Sequence, residues 1–400
     1  MGNAVPRVMF AWELGGGQGH VRAFLPVAER LRDAGVDVVC AVRDLVAGKP
    51  FFDAGFKTFP APRVLYQLMR GLEAFSYAEI LLRAGYGKPE NVDAVLGAWT
   101  TLFRLTGTDL VVSDFAPGAL LAARVAGLKA ATIGIGFPTP PMMSPLPSFR
   151  PRNAPPVKRM QQSEQAVLAS VNAALTGRCG TSLKIVAELC HTGCDLLAAF
   201  PELEQYPQRR DGRYVGPIFS TPKNAAVVWP NAPGPRVFAY LEGPQPEFPD
   251  IIAQLRATGW PTFVVGRVMS PEDAARLSTP TLTVSAANAD LNDVLKTAQV
   301  VVCHGNYGLV CQSLLAGVPV VGVPTHPENE LTTDIVERLR FGRLVPLNSP
   351  APALTRALEK LVADDAVKQA VNTFATRHRG YDPASAVAAA ATALLERMRP

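Results

Sequence analysis

Long apolar runs are missing from this 400-residue chain. No stretch has the ~20 successive apolar residues of a membrane-crossing helix. The opening MGNAVPRVMFAW lacks the basic, apolar and small-residue order of a secretory leader. Pro6 stands where a Met-Gly myristoylation signal carries Ser or Thr. Charge is sparse, at 18% Asp, Glu, Lys and Arg with a net +5, and the densest basic clusters are as short as Arg209-Arg210. That excludes the basic stripe of a nucleic-acid surface. The six cysteines show no zinc spacing; Cys190 and Cys194 form C-x-x-x-C with only His191 nearby, which reads as packing. Reduced thiols suit a cytoplasmic protein.

What is present is an apolar content of 48% in a chain long enough for two ordinary domains. Short apolar runs alternate with amphipathic stretches, the signature of parallel βαβ units. Strands are expected at Arg7–Trp12, Val36–Val42, Asp109–Phe115, Ala130–Ile135 and Asp195–Phe200. Phe24, Val27, Ala28 and Leu31 recur at helical spacing within Val21–Ala34, and Gly35 ends that helix. Residues 64–106 read as two or three helices, with Leu65, Tyr66, Leu68, Met69 and Leu72 on one side. After Ile135, FPTPPMMSPLPSFRPRNAPP is too rich in proline for regular structure. A second proline-rich stretch, Tyr214 to Pro235, reads as a linker. The alternation then restarts, with strands expected at Arg236–Leu241, Thr262–Arg267, Leu282–Ala286, Val300–Cys303, Val318–Val323 and Leu344–Leu347. Two open parallel sheets place a ligand crevice at their strand C-terminal edges. The boundaries expected are 1–216 for the first domain, 217–235 for the linker, 236–382 for the second domain and 383–400 for a final helix.

Two stretches carry chemistry. In ELGGGQGHVRAF, a glycine turn between strand one and helix one ends in His20, a side chain able to take a proton at neutral pH. The loop fits neither the Rossmann G-x-G-x-x-G pattern nor a Walker loop, which needs Gly-Lys-Ser/Thr. Asp114, at the end of DLVVSDF, lies at the same sheet edge, either to orient His20 or to cap the helix that starts near Pro117. In the second half, VVVCHGNYGLVCQ runs from a buried strand through His304 and a glycine turn into a helix. Backbone N–H groups at such a helix start suit a diphosphate. Glu328 and Asn329 follow the next strand, where a carboxylate and an amide could bond sugar hydroxyls.

These stretches resemble the family-1 glycosyltransferases of GT-B fold, which include bacterial macrolide and plant natural-product enzymes. The donor motif H-x-G-x-G/N-x-x-x-E, then G-V-P, then D/E-Q, is matched by His304, Gly305, Asn306, Tyr307, Gly308, Gln312, Gly317-Val318-Pro319 and Glu328-Asn329. YVGP at Tyr214–Pro217 matches the start of the linker, and GQGH matches the catalytic-histidine loop. The resemblance implies an α/β protein with two Rossmann-like parallel-sheet domains facing across a cleft, the first for an acceptor and the second for a nucleotide sugar. It implies an inverting transfer in which His20 is the general base, assisted by Asp114, and His304 with the helix N-terminus stabilises the leaving diphosphate. No Asp-x-Asp pair for a divalent ion occurs, so neither metal nor cofactor is expected, the nucleoside-diphosphate sugar being a co-substrate. Its final helix would return to the first domain, as in relatives.

Three positions depart from the motif: Asn306 replaces a glycine, Gln312 a glutamate and Asn329 a glutamine. A neutral Gln312 beside the ribose leaves both a UDP- and a dTDP-sugar open. The glycine run is longer than in most relatives, and Glu13 ahead of it is read evenly as binding a polar acceptor or capping helix one. Gly17, Gln18 and Gly19 complete that loop. The acceptor surface expected is apolar or aromatic, from Tyr66, Met69 and Phe75 on the helices and Phe137, Met142, Met143 and Phe149 on the proline-rich loop, with packing the equal alternative. Rival readings are a lipid-linked N-acetylglucosaminyltransferase, which needs an apolar and basic patch on the first domain, a sugar-nucleotide epimerase, and a non-catalytic nucleotide-sugar-binding subunit. No motif encodes the acceptor, the sugar or the oligomeric state.

Overall fold

A computed structural model describes residues 5–64, 73–176, 178, 182–219, 224, 226–243 and 245–399. The chain forms two compact units, Met1–Phe219 with Asp382–Pro400, and Ser220–Tyr381.

The first unit holds seven parallel strands: β1 (Arg7–Trp12), β2 (Asp37–Val42), β3 (Lys57–Pro60), β4 (Leu110–Ser113), β5 (Lys129–Gly134), β6 (Asp195–Leu197) and β7 (Arg213–Tyr214). Their order is β3-β2-β1-β4-β5-β6-β7. β1, β2 and β4 are almost wholly buried, as expected of a parallel sheet covered on both faces. Helix Gly19–Asp33 turns Val21, Phe24, Val27, Ala28 and Leu31 onto it, and ends before Gly35 at φ +83°. Beside it lies the final helix, Pro383–Met398, capped by Asp382, with Ala386, Ala390, Ala391, Ala393 and Leu394 in the same core. Small side chains there bring the helix close to the sheet while still excluding water.

β3 and β7 were not evident from the sequence. Lys57–Pro60 and Arg213–Tyr214 are short, partly exposed edge strands without an apolar run. The expected Leu65, Tyr66, Leu68, Met69 and Leu72 lie outside the described residues. The rest of that segment forms helix Tyr77–Leu81, a π-turn at Leu82–Tyr86 and helix Pro89–Thr106.

The second unit repeats the design with β8 (Val237–Glu242), β9 (Thr262–Arg267), β10 (Leu282–Ser285), β11 (Val300–Cys303), β12 (Val320–Gly322) and β13 (Gly342–Leu344). Their order is β10-β9-β8-β11-β12-β13, all parallel. In each sheet the order reverses direction beside the first strand: between β1 and β4, and between β8 and β11. Connections leave toward opposite sides there, opening a crevice at the strand C-termini.

Candidate functional site

Each switch point carries a histidine. In the first unit His20 is the second residue of helix Gly19–Asp33, and Asp114 directly follows β4. Parallel pairing of β1 with β4 brings the two loops together, and His20 Nδ1 lies 2.6 Å from Asp114 Oδ2. The carboxylate accepts the Nδ1 proton, which leaves the lone pair on Nε2. Both side chains are sheltered, with 12% and 7% exposure. Trp12 stacks on the imidazole at 5.1 Å and 26°, and its indole N–H donates to the Leu14 carbonyl. Gly15 adopts φ +77°, and a Cβ there would sit 2.9 Å from His20 Nε2. The glycine run therefore makes room at the reactive edge of the ring.

Phe115 is held at φ +55°, a strained state for a bulky residue. Its ring lies 6.5 Å from His20, 5.7 Å from Tyr77 and 5.8 Å from Phe137, which is 4.9 Å from Phe149. Phe137 and Phe149 are thus buried anchors of the proline-rich loop rather than exposed ligand contacts. A loop without a hydrogen-bond ladder is held by side-chain burial instead. Met142 is 54% exposed, Met143 is half-buried, and Phe75 lies under the Arg150 and Arg159 guanidinium groups. Tyr66 and Met69 lie outside the described residues. Gly17 and Gly19 are exposed, and Gln18 precedes the helix with its amide oxygen accepting from Arg22.

Glu13 is neither at the surface nor on helix one. It is 1% exposed; Oε1 accepts from the Tyr86 hydroxyl at 2.7 Å and Oε2 from the Gly118 N–H at 2.8 Å. Its position beside the glycine run suggested a loop residue, but strand alternation after Trp12 turns it into the protein. Burial pushes its pKa from 4.5 up to about 7. The folded chain then holds this proton more tightly than the unfolded one, so stability from this group falls as the pH rises from 4.5 toward 7.

In the second unit His304 follows β11, and Glu242 ends β8 beside it. The His304 Nδ1–H donates to the Val323 carbonyl at 2.8 Å, and Nε2 accepts the Glu242 N–H at 3.0 Å. The imidazole is neutral in this arrangement and holds no proton for a phosphate; it ties three strand ends together. Burial pushes the pKa of His304 below 6.5, and that of His326 likewise. Stability from such groups is full above the ordinary value and is lost as the pH falls toward the lower folded one. Melting temperature should therefore decline on acidification below pH 6.5. Thermal denaturation between about pH 5 and 8 should show a shallower acid decline in His304→Gln.

Gly305, at φ +90°, packs its bare Cα against helix Pro327–Arg338. Asn306 precedes helix Tyr307–Leu315, whose first turn has no side-chain cap. Its amides at Gly308 and beyond are the groups a helix start offers to an anion. The Tyr307 side chain is buried. Gln312 donates to the Gly308 carbonyl of its own helix. Asn329 is 2% exposed, and Asn329 Nδ2 and Asn306 Oδ1 are buried without a protein partner. Glu328 lies in the first turn of the following helix. Among the described residues no group of three His, Cys, Asp or Glu side chains could hold a metal ion, and no helix is long and apolar enough to cross a membrane.

Trp12, Phe115, Tyr86 and Glu242 escaped the sequence reading. Each sits at or near a strand end or helix turn inside apolar sequence, where only its partners distinguish it from core.

Two Rossmann-like units of seven and six parallel strands, each with a histidine at its switch point, are the architecture of the GT-B glycosyltransferases. The chain has that fold. Over 99% of its length it resembles the glycotransferase of kitacinnamycin, covering 100% of that chain with a TM-score of 0.74 at 19% identity. It also resembles the glycosyltransferase VinC in complex with dTDP, with a TM-score of 0.66 at 16% identity over 96% of this chain and 99% of that one. The NDP-glycosyltransferase YjiC of Bacillus licheniformis is 37% identical over 73 residues, a match spanning 18% of this chain and 18% of that protein. No family model matches the chain.

Proposed function

We propose that this protein is an inverting glycosyltransferase, moving a sugar from a nucleoside-diphosphate sugar to a hydroxyl of a small acceptor. The observation that carries this reading is the His20–Asp114 pair, 2.6 Å apart at a switch point, with the Nε2 edge lined by glycine. His20 Nε2 takes the acceptor's proton as its oxygen attacks the anomeric carbon. The bond from that carbon to the diphosphate breaks on the opposite face, which inverts the configuration. Asp114 stabilises the imidazolium that forms. In the second unit the leaving diphosphate is received by the uncapped start of helix Tyr307–Leu315, without metal. Gln312 on that helix, and Glu328 and Asn329 in the first turn of helix Pro327–Arg338, are the polar groups assigned to ribose and sugar hydroxyls. The first unit takes the acceptor, an apolar or aromatic one in keeping with the exposed Met142 of the proline-rich loop. A cytoplasmic location accords with the five buried free cysteines among the described residues.

The dTDP in VinC and the neutral Gln312 favour a deoxyribose donor. Titration calorimetry with dTDP and UDP tests this directly. Binding of dTDP is expected, together with release of nucleoside diphosphate from a dTDP-sugar that persists in EDTA. Failure to bind either nucleotide would overturn the reading, and loss of turnover in EDTA would overturn its metal independence.

A further inference from the structure

Helix Pro117–Ala126 starts without a cap of its own. Its N-cap residue is Ala116, which has no side-chain acceptor, so the first-turn N–H groups need a partner from elsewhere. Glu13 supplies it from 105 residues away: Oε2 accepts the Gly118 N–H at 2.8 Å. Oε1 takes the Tyr86 hydroxyl, and the Trp99 indole faces the same group. Tyr86 and Gly118 both donate to it, and the helix dipole favours negative charge. Gly118 is fitted to this purpose. A Cβ there would lie 2.7 Å from Glu13 Oε2, 2.8 Å from the Tyr86 oxygen and 2.5 Å from Val95 Cγ1.

The capped helix begins three residues after Asp114. Three bonds tie the turn between them to the end of β1. Asp114 N–H donates to the Ala11 carbonyl at 3.0 Å, Leu14 N–H donates to the Phe115 carbonyl at 2.8 Å, and Gly118 N–H donates to Glu13. Only the last is made by a side chain. Between these anchors Phe115 is kept in its strained conformation, and the following segment of the glycine loop carries His20.

We propose that Glu13 is a positioning residue for the His20–Asp114 pair, its carboxylate capping the helix after Asp114 and thereby holding the loop after β1 against the turn after β4. The inference rests on the assignment of His20 as the base.

Glu13 changes charge within the working range of a histidine base. Burial places its pKa at about 7, so the cap is anionic above neutrality and weakened below it. The titratable group facing it is the Tyr86 phenol, with the Cys190 thiol beyond; burial raises both pKa values, keeping them neutral at this pH. Trp99 and the helix amides do not titrate.

The test pairs NMR with kinetics on the full chain, using Glu13→Gln and Tyr86→Phe. The Gly118 amide signal of the wild type should titrate with a midpoint near 7, and be flat in Glu13→Gln. The His20 ring nitrogens should show the same second inflection. With a dTDP-sugar, kcat of Glu13→Gln should fall about tenfold or more with donor KM unchanged. The acid limb of kcat should steepen to two protons in the wild type and revert to one in the variant. Tyr86→Phe retains the carboxylate and should keep the two-proton limb with a shifted midpoint. A Gly118 amide insensitive to pH in the wild type, or a Glu13→Gln enzyme with unchanged kcat and limb, would overturn the proposal. If Glu13→Gln does not fold, the Gly118 titration and the Tyr86→Phe limb decide. The assignment of His20 fails separately, by transfer surviving in His20→Ala, whereas the Gly118 titration reports the cap whatever His20 does.

Discussion

Replacing His20 with alanine is expected to slow sugar transfer by about 10²–10⁴-fold while nucleotide binding is kept. The imidazole accepts the only proton that must leave the acceptor, and no other described basic side chain is held at 2.6 Å from a carboxylate at that switch point. The donor turn belongs to the other unit, so the substitution leaves its backbone untouched. Asp114→Asn separates the two functions of the pair more finely. An asparagine amide can donate to Nδ1, which moves the ring proton to Nε2 and blocks the base without moving the ring. Its rate should fall nearly as far as that of His20→Ala, and the double variant should be little worse than either, because the residues act as one unit. Steady-state transfer and dTDP calorimetry on the three variants check this. Additive losses would show that Asp114 acts independently of His20.

Gly305→Ala should weaken donor binding and destabilise the second unit. Gly305 sits at φ +90°, and a Cβ would stand 2.8 Å from the Asn329 carbonyl and 2.8 Å from Thr333 Cγ2. One neighbour is backbone and cannot rotate away. The backbone strain alone costs roughly 1–3 kcal/mol, and relief requires the turn after β11 to move off helix Pro327–Arg338. That displaces the start of helix Tyr307–Leu315, so dTDP affinity should drop by at least about tenfold, roughly 1.4 kcal/mol. Calorimetry and thermal denaturation read both effects, with the His20 ring NMR signals as a control from the first unit. Undiminished dTDP affinity would place the diphosphate elsewhere.

The two units were legible in different degrees. β1, β9 and β11 run over the residues expected, because a buried parallel strand is a continuous apolar run bounded by turn residues. β12 and β13 kept their places but shrank or shifted, since the ladder alone decides where pairing stops. For the apolar residues of the proline-rich loop the sequence left ligand contact and packing equally open: Phe137 and Phe149 are core, and nothing local to FPTPP or PSFRP shows which ring Tyr77 and Phe115 will meet. His304 was read as a site residue from its glycine turn. Its neutral state was not, because Glu242 and Val323 lie 62 and 19 residues away in sequence.

Local rules by themselves determined the alternation of strands and helices and the placing of His20, Asp114 and His304 at strand ends. Apolar periodicity, glycine at positive φ and proline at helix starts act over a few residues and survive without tertiary contacts. Only the tertiary structure decided what those side chains do. Parallel pairing of β1 and β4 closes His20 onto Asp114 across 94 residues. The same pairing turns Glu13 inward to cap a helix it does not belong to, and pairing of β8 with β11 locks His304 as a neutral tie. A hydrogen-bond partner and a buried charge are properties of the folded neighbourhood, and no window of sequence contains them.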